Sequence, residues 1–202
     1  MRNSLPFILV FVVLSVLGCV QSDVPILSES EIRRGRLLAP GVYLCESCED
    51  VLAVGWDDES MLHTYDGRLV FSVAIGDRRL AQIETEDGFM LFWLSTEGGR
   101  QFTIYDLKGP VAPAVQERFG ITVDYNERSD FHTIHGESGA VRRFMEEYAP
   151  EHIEPSGTYT FVIAGNVTQQ KLEACEAKCS EEGGGDFVEM VRGCVARCVG
   201  RR

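Results

Sequence analysis

Between residues 42 and 107 the apolar positions fall in short runs separated by acidic and glycine-bearing turns. The runs Val42–Cys45, Val51–Trp56, Met61–Tyr65, Leu69–Ile75, Leu80–Thr85, Phe89–Ser95 and Gln101–Leu107 predict successive strands. Asp66-Gly67 and Asp87-Gly88 are hairpin-type dipeptides. The segments that follow them, Asp66–Val73 and Asp87–Leu94, align with a period of 21 residues, as two successive hairpins of one meander would. Their apolar residues run continuously instead of alternating, so both faces of the sheet must be covered.

A short helix, Pro113–Phe119, and the strands Ile121–Tyr125 and Phe131–Ile134 come next. Val141, Phe144, Met145 and Tyr148 then share one helix face, with Ser138 as the expected N-cap and Pro150 as the stop. This helix is the expected cover for the sheet. Thr158–Ala164 is the last strand. The fold class is therefore α+β: an antiparallel meander, as a curved sheet or small barrel, covered by one amphipathic helix and followed by a helical hairpin.

That hairpin is read from Cys175-x-x-x-Cys179 and Cys194-x-x-x-Cys198, where a spacing of four puts both sulfurs of a pair on one helix face. Asp186 and Glu189 mark the second helix start, and Ser180–Gly185 is the turn. Antiparallel packing sets Cys175 opposite Cys198 and Cys179 opposite Cys194, two disulfide staples for helices too short to stand alone. A four-thiolate zinc or copper site is the competing chemistry. The segment resembles the twin CX3C hairpins of small mitochondrial intermembrane-space chaperones, a likeness of geometry confined to this segment.

At the other end, Arg2 precedes an apolar run from Phe7 to Leu17 and then Gly18-Cys19, the anatomy of a signal peptide. The run would rise about 16 Å as a helix, roughly half a bilayer's hydrocarbon thickness, so it is cut off and not kept as a span. Val16-Leu17-Gly18-Cys19 resembles the lipobox of bacterial lipoproteins. That resemblance implies cleavage before Cys19 and a diacylglycerol on its thiol, and Val20 in place of aspartate implies the outer membrane. Cleavage nearby by ordinary signal peptidase would instead leave Cys19 a spare thiol. Cysteine parity favours lipidation, because the seven cysteines less Cys19 leave six to pair in an oxidising compartment. The expected organisation is signal peptide 1–18, lipidated tether 19–36, β-rich domain 37–165 and hairpin 166–202.

Losing residues 1–18 removes one basic residue, Arg2, and takes the formal charge from −12 to −13. Nucleic acid and anionic head groups are poor partners for such a surface; acyl chains must hold the protein to the membrane. The remaining 184 residues suffice for one real core.

Other chemistry is sparse. Cys45-Glu46-Ser47-Cys48 has the CxxC spacing of thiol oxidoreductases and zinc knuckles, but it follows a strand and is flanked by Glu46, Glu49 and Asp50, which raise a thiol pKa; a structural disulfide is expected. His132 and His135 lie three apart in a strand, on opposite faces, a poor metal pair. Asn166-Val167-Thr168 is a glycosylation sequon without meaning in a bacterial lipoprotein. No catalytic or cofactor-binding constellation stands out. The leading expectation is a non-enzymatic, lipid-anchored envelope module that binds an envelope protein partner. A carrier of an apolar ligand or an inhibitor of a periplasmic enzyme is the second reading. For a carrier, Phe71, Phe92 or Trp93 should line a cavity and not pack against the helix at Val141–Tyr148. A thiol-redox or metal-handling protein is the third.

Overall fold

The computed structural model describes residues 20–32, 34–181 and 186–200. The expected signal peptide and Cys19 lie outside them. The chain opens with β1 (Val20–Ser22), then runs as a meander: β2 (Gly41–Cys45), β3 (Asp50–Asp57), β4 (Leu62–Tyr65), β5 (Arg68–Ile75), β6 (Arg78–Thr85), β7 (Gly88–Glu97) and β8 (Gln101–Leu107). An insertion follows: α1 (Pro113–Phe119), β9 (Ile121–Asn126), β10 (Phe131–Gly136) and α2 (Ser138–Glu147). β11 (Ile153–Ala164) leads to α3 (Gln169–Glu181), α4 (Phe187–Met190), a π-helical turn at Val191–Val195 and α5 (Ala196–Gly200). The fold is α+β, as expected.

Pairing turns the meander into a barrel. Consecutive strands from β2 to β8 pair antiparallel, and β11 lies between β8 and β2, so eight strands close a ring. β11 reaches further than expected, starting at Ile153 and bonding β8 first and β2 later, with irregularities between Pro155 and Gly157 and between Phe161 and Ile163 that let it bend.

Alternation along the strands sorts the ring into two populations. Tyr43, Leu52, Val54, Phe102, Ile104 and Tyr159 point inward as one cluster, which Tyr65 and Phe92 join to Ile83 and Met90. Outward, Phe71, Leu80, Leu91 and Trp93 pack in one cluster with Val141, Phe144 and Met145 of α2. Val42, Leu44, Val51 and Ala53 pack beneath Leu172, Cys175, Cys179, Val191 and Val195 of the C-terminal helices. The unbroken apolar runs thus have one face in the ring and the other under helices. The expected cover, α2, is in place, and the hairpin is a second cover on another part of the wall.

The N-terminal segment departs from the expected tether. β1 pairs antiparallel with β7 and parallel with β10, and Val20, Ser22, Ile26 and Leu27 are buried. Gln82 Oε1 accepts the Ile26 and Leu27 amides at 2.7 and 3.0 Å. Ser28 and Glu31 form the capping box of a single 3-10 turn, and Arg142 of α2 is ion-paired with Glu31. The Ser28 hydroxyl, then Arg142, hold the Glu31 carboxyl down at about 2. Ser138 does not cap α2: Glu137 precedes the helix, and the Ser138 hydroxyl donates to the Pro25 carbonyl, stitching this segment down. Residues 20–31 are therefore part of the folded body and not a tether that leads to it at Leu37.

Phe144 is fully buried where α2, α1 and the barrel wall meet. Phe144→Ala is expected to cost about 3–5 kcal/mol by equilibrium denaturation, because helix and barrel cannot collapse into the vacated volume.

Candidate functional site

The cysteine chemistry gathers where the hairpin meets the barrel. Cys45 ends β2 with no exposed surface, and Asp50 opposite it begins β3, so Glu46–Glu49 form the connecting turn. Glu49 takes the left-handed conformation, φ 50°. Cys45 and Cys48 are disulfide-bonded across this turn. Their sulfurs face β11 at Gly157, where a Cβ would lie 3.1 Å from Cys48 Sγ and 3.3 Å from Cys45 Sγ. A side chain at this position would crowd the disulfide, which would have to give by a few tenths of an ångström.

Tyr159, two residues along and inside the ring, stacks on Phe102 at 5.0 Å and donates its hydroxyl to Asp50 Oδ2 at 2.8 Å. Burial pushes the Asp50 carboxyl up, against the lowering effect of that hydrogen bond. Burial, then the charge of Asp50, pushes the Tyr159 hydroxyl up as well. Above them, α3 brings Glu176, whose carboxyl is raised to about 7 by burial and then by Asp50 and Glu173. Arg192 of the π-helical turn reaches Glu46 Oε1 at 2.6 Å and ties the hairpin to the turn.

The hairpin itself is closed by Cys175–Cys198 and Cys179–Cys194. The spacing of four aligned these pairs as expected, and the sulfurs that a metal would need are consumed. Asp186 caps α4, accepting the amides of Val188 and Glu189. Among the described residues no group of three or more His, Cys, Asp or Glu is arranged to hold a metal ion.

The histidines serve the fold. His132 is buried, its Nε2 donating to the Gly109 carbonyl at 2.7 Å, whereas His135, on the other face, sits between Asp23 and Asp124 at 3.2 and 3.3 Å. His63, which attracted no attention in the sequence, accepts the Leu37 and Leu38 amides at Nε2 and contacts the Gly55 carbonyl through Nδ1. Asn166 of the sequon has its side-chain amide bonded both ways to the Trp56 backbone, standing in for a strand neighbour.

The carrier reading loses its supporting observation. Phe71 and Trp93 lie on the outer wall in the cluster of α2, and Phe92 is packed among the inner side chains. Between the helical covers the wall is polar: Ser95, Thr103 and Thr158 stand in register on β7, β8 and β11, with the Thr103 and Thr158 hydroxyls 2.9 Å apart. A cleft of about 280 Å³ opens beside them, lined by Ser95, Thr96, Glu97, Gln101, Phe102 and Thr103. Asp50, Tyr159 and Glu176 could not be grouped from sequence, since Asp50 and Tyr159 are 109 residues apart. Comparison with family models, curated proteins and solved structures returned no match for this chain.

Ionising Glu176 is penalised as pH rises from its ordinary 4.5 through about 7, so the native state is relieved of that penalty in acid and bears it fully above neutrality. Glu176→Gln is therefore expected to raise Tm near pH 8 and to change it little near pH 5. The Cys45–Cys48 pair has a fully buried sulfur and acidic neighbours, conditions that disfavour a leaving thiolate. Incubation with millimolar reduced glutathione, followed by alkylation and mass analysis, should find both residues still paired; release of thiols from this turn would make it a redox site.

Proposed function

We propose that this chain is a lipid-anchored protein of the bacterial envelope, attached through Cys19, and that it acts as a non-catalytic binding module. The observation that carries this reading is the cysteine balance. Six sulfurs are joined as three disulfides, which suits an oxidising compartment, and the seventh cysteine stands at the end of the lipobox-like Val16-Leu17-Gly18-Cys19. No helix among the described residues is long and apolar enough to cross a membrane, so attachment falls to the acyl chains. Val20 in place of aspartate favours the outer membrane, with the fold in the periplasm.

Binding is favoured over catalysis because Asp50 and the two buried histidines are engaged with a neighbouring side chain or with backbone. Asp50 is held by Tyr159, His63 by Leu37 and Leu38, and His132 by Gly109. The polar strip of Ser95, Thr103 and Thr158 and its cleft are the surface offered to an envelope protein partner.

Intact mass of membrane-extracted protein should show cleavage before Cys19, added acyl mass, and a gain of six hydrogens on reduction. Cys19→Ala should lose the acyl mass and leave the membrane fraction with the three disulfides unchanged. An unacylated mature chain would exclude the anchor.

A further inference from the structure

We infer that the flank of the barrel formed by β1, β10 and β9 rests against the phospholipid bilayer and that the disulfide-stapled hairpin is held on the side facing away from it. The inference rests on lipidation of Cys19 and adds an orientation to it.

A lipoprotein with a long tether has no fixed orientation, because 17 extended residues reach about 55 Å. Here that slack is gone. Val20 is paired on one side with Leu91 and on the other with His132, and it is 3% exposed. Beyond it, Gln82, Ser138 and Arg142 fasten the chain at Ile26–Leu27, Pro25 and Glu31. Only Cys19 itself separates the acyl chains from a rigid strand, a reach of about 3.5 Å.

The registers then say which surface is nearest. β1 and β10 run parallel with Val20 beside His132, so the chain enters β1 next to the start of β10 and the β9–β10 turn. Exposed Arg128 and half-buried Phe131 are there, and Lys108 is bonded to Asp130 at 2.9 Å. Lys108 and Arg128 offset Glu127 and Asp130 at this end of the flank, while Asp23 and Asp124 lie further along it, on either side of His135.

Ring order fixes the far side. β7, the barrel partner of β1, and β3 are separated by three strands in either direction, β6-β5-β4 or β8-β11-β2. β3 and its neighbour β2 carry the hairpin. The covalently closed helices thus stand diametrically opposite the anchor, the position open to the periplasm.

The test uses the lipidated full chain in phospholipid vesicles, with a fluorophore on a cysteine introduced by Arg128→Cys or by Ala174→Cys on exposed α3; the native cysteines are protected as disulfides. Quenching by a head-group-labelled lipid should be several-fold stronger at 128 than at 174. A Gly/Ser spacer of about ten residues between Cys19 and Val20, with a root-mean-square reach of about 17 Å, should bring the two close together. Equal quenching without the spacer, or stronger quenching at 174, would overturn the orientation while leaving the anchor standing. Absence of acyl mass in the same sample would overturn both.

Discussion

The structure depends on one two-sided ladder. β11 must bond β8 with its first half and β2 with its second, and only then does the meander become a ring. Everything else is placed by that closure. The insertion between β8 and β11 is confined to one flank, where α2 seals Phe71, Leu80, Leu91 and Trp93, and the chain leaving β11 is delivered to the opposite wall as the hairpin. Without the seam the inner aromatics Tyr43, Phe102 and Tyr159 would lie on an open sheet, exposed at two edges.

Much of the local structure was legible in the sequence because each meander strand is bounded by turn residues and carries its own apolar run; the seven strand positions agree with the observed elements to within about two residues. The pairing of Cys175 with Cys198 and of Cys179 with Cys194 was legible for a similar reason, since a spacing of four on two antiparallel helices leaves one register. Closure was not. It joins segments about 50 and 115 residues apart, and no short-range pattern records a contact at such distance.

β1 was missed for a different reason. Three residues, Val-Gln-Ser, have no measurable period, and their burial comes from β7, β10 and Gln82, partners supplied by the rest of the fold. Ser138 misled because its type favours a cap, whereas its hydroxyl is committed to the Pro25 carbonyl across 113 residues. The acidic group at the hairpin was equally hidden: Asp50 and Glu176 acquire raised pKa values only because the helices bury them against the disulfide turn.

The placement of β1 also has a mechanical side. A pull on the chain at Val20 runs along the strand axis, roughly across the hydrogen bonds that join it to β7 and β10. Loaded in this way the bonds share the force in shear instead of parting one after another, and the fastenings at Gln82, Ser138 and Arg142 lie behind them in series. The end of the chain at which the proposed anchor would pull is thus also the end secured against peeling.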